Sequence, residues 1–167
     1  MSQTALFTGA PLAATGKPGD VDSATDYPTG RNVVGMRAFG YDTTGNIAEY
    51  IYLKGCASTI VGSVVTYDEA GATTLIAANA VGPVAVATGI TVASTFGWYG
   101  IAGTFLTDVV ANCADNAKLG RETTDGKVGD GAASGDIITG AVSRAATTAA
   151  AVVLCQFLYP SVNDSSA

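Results

Sequence analysis

The sequence predicts an all-β chain: a compact sandwich or barrel of about eight or nine short strands behind an extended N-terminal arm. Three observations predict it. First, Ala70 to Thr107 contains no Asp, Glu, Lys or Arg, a run of 38 residues. Second, Gly71, Gly82, Pro83, Gly89, Gly97, Gly100 and Gly103 break up that run. Glycine at this density defeats a helix and leaves short apolar strands joined by tight turns. Third, turn signals recur about every ten residues beyond the arm, the spacing of a sandwich or barrel.

Residues 1–30 read as the arm. They carry Gly9, Pro11, Gly16, Pro18, Gly19, Pro28 and Gly30 with Asp20, Asp22 and Asp26, and sustain neither a helical nor a strand period. Such a segment either frays or lies across a partner. Residues 31–167 read as a single β-rich domain, long enough to enclose a core.

Val33–Phe39 is the first expected strand. Ile47–Lys54 is the cleanest: Ile47, Glu49, Ile51 and Leu53 alternate with Ala48, Tyr50, Tyr52 and Lys54. Thr43-Thr44-Gly45-Asn46 between them has the chemistry of a hairpin turn. Ser63–Tyr67 follows, then a turn at Asp68–Gly71. Thr73–Ala77, Pro83–Ala87 and Phe96–Ala102 fill the uncharged region. Lys118–Glu122 precedes another turn signal, Thr124-Asp125-Gly126-Lys127, and Asp136–Ser143 and Ala151–Tyr159 close the series. Thr107–Lys118 is the fair helix candidate, and the alanines of Ala145–Ala150 also favour a helix.

Some strands are apolar on both faces. Val84 and Val86 oppose Ala85 and Ala87; Val152, Leu154 and Leu158 oppose Val153, Cys155, Phe157 and Tyr159. A sheet face in water would be polar. Two explanations stay open: central strands of one domain, or an interface between copies.

Composition excludes several function classes. The net charge is −6, the pI about 4.3, and the charged fraction 13%. Repulsion from phosphate argues against nucleic acid as a partner. Leu75–Gly103 and Ala145–Val162 are too rich in glycine, proline and polar residues to read as membrane spans. Met1–Thr4 has no basic n-region and leads into no long apolar h-region, so no secretory signal is expected. Cys56, Cys113 and Cys155 are far apart and form no CxxC. They read as free thiols of a protein made in a reducing cytosol, without zinc.

The chain contains no histidine, which removes the Ser-His-Asp and Cys-His machineries and histidine metal sites. Gly16-Lys17 is followed by proline and lacks the glycine a phosphate loop needs. Gly129-Asp130-Gly131 has its third glycine, Gly135, one residue late for a dinucleotide fingerprint. Asp20, Asp22 and Asp26 are spaced like a fragment of a calcium loop, without its glycine and distal glutamate. No catalytic residue, cofactor or metal is expected, and the chain is not read as an enzyme. The aromatic concentration Phe96-Gly97-Trp98-Tyr99-Gly100 is either a binding platform or a strand anchoring a core or subunit contact. Phe96, Trp98 and Tyr99, with Val84 and Val86, are the candidate binding or interface residues.

Five stretches carry a resemblance: Gly62–Gly71 (GSVVTYDEAG), Val81–Ala87 (VGPVAVA), Phe96–Gly103 (FGWYGIAG), Lys118–Gly126 (KLGRETTDG) and Ile137–Val142 (IITGAV). In these, over roughly Gly62–Gln156, the chain resembles small structural proteins of tailed bacteriophages, in particular capsid decoration (cement) proteins. The resemblance implies a homo-oligomer, commonly a trimer. It would bind the major capsid protein on the outside of an assembled shell, reinforce the shell by bridging capsomers, and reside in the virion after synthesis in the host cytoplasm. It supplies no catalytic residues. The alternatives are a phage tail component, a fimbrial-type subunit or a surface receptor- or glycan-binding module.

Overall fold

The computed structural model describes residues 19–23, 32–131 and 136–163. Among them there is no helix. The strands are β1 (Val21–Ser23), β2 (Arg37–Tyr41), β3 (Ile47–Lys54), β4 (Val64–Tyr67), β5 (Thr73–Leu75), β6 (Gly82–Ala87), β7 (Thr95–Val109), β8 (Lys118–Arg121), β9 (Val128–Gly129), β10 (Ile137–Ser143) and β11 (Ala151–Val162). The chain is all-β, as expected, with eleven strands among the described residues instead of eight or nine. The two additional strands, β1 and β9, are three and two residues long and carry no apolar alternation.

The sheet is organised by β7. Its first half pairs with β3 on one edge and with β1 and β6 on the other. Its second half pairs with β11 over Ala102–Val109, and at Val109 it meets β9 in parallel on the opposite edge. Antiparallel pairs β8–β9, β8–β10 and β10–β11 return the chain to β7, so β7, β11, β10, β8 and β9 close a ring. β2 extends β3 outward, while β4 and β5 extend β6.

Bulges turn the corners. Glu49 pairs with Ala102 but Tyr50 with Gly100, which leaves Ile101 extra on β7. On β11, Leu158, Tyr159 and Pro160 stand opposite the single Gly140, between the pairs Phe157–Ala141 and Ser161–Thr139. Here β11 leaves β7 and joins β6 through Ser161–Pro83 and Val162–Gly82. Gly140 is required: it has φ +80°, and a Cβ would lie 2.5 Å from the Leu158 carbonyl oxygen.

Both faces of the central strands are buried. Tyr50, Tyr52, Val84, Val86, Phe96, Trp98, Phe105 and Phe157 belong to one core cluster; Ile51, Leu53, Val65, Ala85, Ala87, Tyr99 and Ile101 form the other. The two-sided apolar pattern of β6 therefore reflects a central strand within one protomer, whereas β11 buries Cys155 and Phe157 and leaves Val152, Leu158 and Tyr159 exposed.

Several expectations need correction. Val33 and Val34 lie in a turn, with the Met36 amide donating to the Val33 carbonyl at 2.9 Å, so β2 begins at Arg37. The helix candidate Thr107–Lys118 is the end of β7 followed by turns, with Asn112 and Asn116 at φ 64° and 59°. Ala145–Ala150 is not a helix either. Thr147 takes its amide to the Cys113 carbonyl (2.8 Å), its hydroxyl to the Val110 carbonyl (2.8 Å), and receives the Cys113 amide (3.0 Å). Those tertiary bonds override alanine's local preference. The segment read as an arm is part of the sheet at Val21–Ser23, where Asp22 accepts from the Tyr52 hydroxyl and, at 3.3 Å, from Asn32 Nδ2. Residues 1–18 and 24–30 of that reading lie outside the described residues.

Candidate interaction surface

The structure places all five candidate interface residues inside the protomer. Val84, Val86, Phe96 and Trp98 lie in one core cluster and Tyr99 in the other. Trp98 is 3% exposed, and its ring stands edge-on to Tyr52 at 5.2 Å; Tyr52 also stacks on Phe96 at 6.3 Å. The Tyr99 hydroxyl shares a hydrogen bond of 2.6 Å with Thr91 Oγ1. The glycines among these aromatics serve packing: a Cβ on Gly100 would lie 2.5–2.7 Å from the Phe105 ring. As a surface platform the aromatic strand is therefore corrected to core, because its neighbours from β3 and β6 leave its rings no opening to water.

Exposed apolar side chains gather instead on the outer face of β2, β3, β7 and β11, with others scattered over the loops at Val33, Ile60, Val81 and Ile90. The register builds it. Phe39 pairs with Glu49, Glu49 with Ala102 and Ala102 with Leu158, forming one row across four strands. Tyr41 pairs with Ile47 below that row, and Leu106 with Leu154 beside it. Ile47 is 70% exposed, Leu158 66% and Tyr159 56%; Phe39, Tyr41, Leu106 and Val152 are also exposed. Part of this was visible in the sequence, as the apolar outer row of Ala151–Tyr159. What hid the rest is that Phe39, Tyr41 and Ile47 join that row only through strand pairing.

At the centre of the face, Glu49 is nearly buried and held from two sides. Arg37 approaches it at 3.3 Å, and the Tyr159 hydroxyl donates to its other oxygen at 2.6 Å. That bond and the carboxylate's charge raise the Tyr159 pKa above the ordinary phenol value. Tyr159 sits at φ 44°, an unfavourable conformation for a bulky side chain. The β11 bulge imposes it, and it turns two consecutive side chains, Leu158 and Tyr159, onto the surface. Charges on the face cancel in pairs: Arg37 with Glu49, and Lys127 with Asp108 at 2.8 Å. Arg144 donates to Gln156 at 3.0 Å and to Asn116.

A groove of about 630 Å³ runs beside β4, β5 and β6, lined by Thr66, Tyr67, Asp68, Thr74, Val81 and Pro83. Its Asp68 carboxylate is engaged by the amides of Ala70 and Ala72. Cys113 and Cys155 are buried free thiols and Cys56 is a half-buried one. Burial pushes Cys155 up to about 11 and raises Cys113, so neither is a ready nucleophile. Among the described residues no group of three or more His, Cys, Asp or Glu is placed to hold a metal, and no helix is long and apolar enough to cross a membrane.

No protein-family model, no curated protein and no solved structure matches this chain.

Proposed function

We propose that this chain is a non-catalytic structural protein of a tailed-phage virion, which binds the outside of the assembled capsid and reinforces it by bridging capsomers. One observation carries the reading furthest. The aromatic strand Phe96–Tyr99 that could have built a ligand platform is used in the core, and the exposed apolar side chains of β2, β3, β7 and β11 make a strand-built face suited to another protein. The resemblance over Gly62–Gln156 supplies the shell as the assembly and suggests a trimer. The glycan-binding alternative loses its main support, since Trp98 lies in the core.

The proposed mechanism is mass action. A protein that binds only the assembled lattice stabilises it by RT ln(1 + [L]/Kd), about 2.7 kcal/mol per site at a hundredfold excess over Kd. Repeated over many sites, this resists internal pressure without any bond chemistry. The test is to purify particles from the culture that makes the protein and quantify this polypeptide against the major capsid protein. A fixed, near-stoichiometric ratio on intact particles supports the reading; absence from washed particles overturns it.

A further inference from the structure

Building on the reading of the chain as an assembled structural protein, we infer that the outer face of β2, β3, β7 and β11 is where a second copy of this chain docks. Three features select that occupant. The first is area. Ile47, Leu158, Tyr159, Phe39, Tyr41, Leu106 and Val152 together present apolar surface on the order of 600 Å². This approaches the roughly 800 Å² that each partner buries in a stable interface.

The second is charge. The molecule carries −6 overall, so two copies repel over most orientations. On this face Arg37 answers Glu49 and Lys127 answers Asp108, with Arg144 beside them. Copies that meet here bring no acidic excess together, whereas a strongly charged partner would find no complementary field.

The third is the sheet edge. β2 is the end strand of the sheet path. Tyr52 N donates to the Met36 carbonyl and Asp42 N to the Asn46 carbonyl, at 2.8 Å each. By strand alternation the amides of Arg37, Phe39 and Tyr41 then point away from β3, where no described residue pairs with them. An open edge flush with an apolar face is a template for a further strand. A neighbouring copy supplies both a strand and an apolar face.

The experiment measures molar mass by light scattering and sedimentation, over about a hundredfold range of concentration, for the wild type, Ile47→Lys, Leu158→Lys and a control, Ile90→Lys. Ile90 is as exposed as Leu158 but lies in the loop after β6. The expected result is an oligomer for the wild type and the control, and folded monomers for the two face variants, checked by far-UV circular dichroism. Hydrogen exchange on the wild type gives a readout that needs no variant: the amides of Arg37, Phe39 and Tyr41 should exchange slowly. A monomeric wild type, face variants that stay oligomeric, or a control that dissociates equally would overturn the inference. So would fast exchange at β2, or protection there that persists in a monomeric variant. None of these results depends on a capsid, so the docking surface can fail while the virion reading stands, and the reverse.

Discussion

Tyr159 donates its phenolic hydrogen to Glu49 over 2.6 Å, joining β11 to β3 across 110 residues of chain and over the top of β7. The contact exists because the β11 bulge places Tyr159 at φ 44° and swings its ring onto the outer face. Backbone strain of this kind persists where the surrounding structure enforces it, and the proposed docking of a second copy on this face gives it a use. Tyr159→Phe should therefore cost the protomer about 1–2 kcal/mol, while weakening self-association more than it lowers the melting temperature. Melting and molar-mass measurements on the same sample check this. A large melting loss with an unchanged oligomer would make the contact purely internal.

Asp42 closes the hairpin between β2 and β3 and ties it to β7. One carboxylate oxygen accepts the Thr44 amide (2.9 Å), the Thr44 hydroxyl (2.7 Å) and the Asn46 amide (2.9 Å); the other accepts the Thr104 amide (2.9 Å). Burial opposes the charge, but these bonds outweigh it and lower the pKa below 3.8. A depressed carboxylate stabilises the fold above its unfolded pKa, and that contribution is lost as pH falls through the lower, folded value. Asp42→Ala should destabilise by about 2–3 kcal/mol and flatten the acid limb of stability against pH, as read by urea melts below about pH 4.

At alkaline pH the sign reverses. Burial raises Tyr50 and Tyr99, the latter despite its bond with Thr91, and takes the Cys155 thiol from 9.0 to about 11. A group whose folded pKa is raised contributes stability below its unfolded pKa and loses it as pH climbs toward the folded one. The melting temperature should hold from neutral pH to about 9 and fall beyond it, with the share of the phenolate band near 295 nm that belongs to the buried Tyr50 and Tyr99 appearing only as the fold is lost. Ionisation of all seven tyrosines at an ordinary pKa, with the fold intact, would contradict the buried placement.

Trp98→Ala should cost about 3–5 kcal/mol, the range for an aromatic deleted from a packed core. Gly100→Ala should also destabilise, because Phe105 is wedged between Tyr50 at 5.5 Å and Phe157 at 6.3 Å and has little room to yield. A Trp98→Ala protein that melts normally would return the ring to the surface.

Removing residues 2–28 deletes β1, its pairing with β7, and Asp22, which bonds Tyr52 and Asn32. The truncated protein should melt several degrees lower, at roughly 2–4 °C per kcal/mol for a domain of this size. An unchanged melting curve would mean that these residues serve neighbours only.

How far the fold was legible follows the range of the forces involved. The β2–β3 hairpin was readable because its turn chemistry and the alternation in Ile47–Lys54 act locally. β6 was readable as a strand, but not the burial of both its faces, which depends on β4 and β7 closing around it. Alanine's helix preference at Ala145–Ala150 misled because Thr147 answers to Cys113 and Val110, over 30 residues away. The aromatic strand drew attention as a site because aromatics serve cores and binding platforms alike, and only its neighbours decide between them. The exposed face stayed hidden for a related reason: Phe39, Ile47 and Leu158 become one surface only when β7 pairs with β3 and β11 together.

The most direct test of the central claim is the heat stability of the shell itself. Capsids stripped of this polypeptide are titrated with the purified protein, and their disruption temperature is followed by light scattering alongside co-sedimentation. The account predicts that the protein co-sediments with assembled capsids and not with free capsid subunits, and that the disruption temperature rises with its concentration as RT ln(1 + [L]/Kd) requires. Protein that fails to co-sediment, or that binds while the disruption temperature stays where it was, would contradict it.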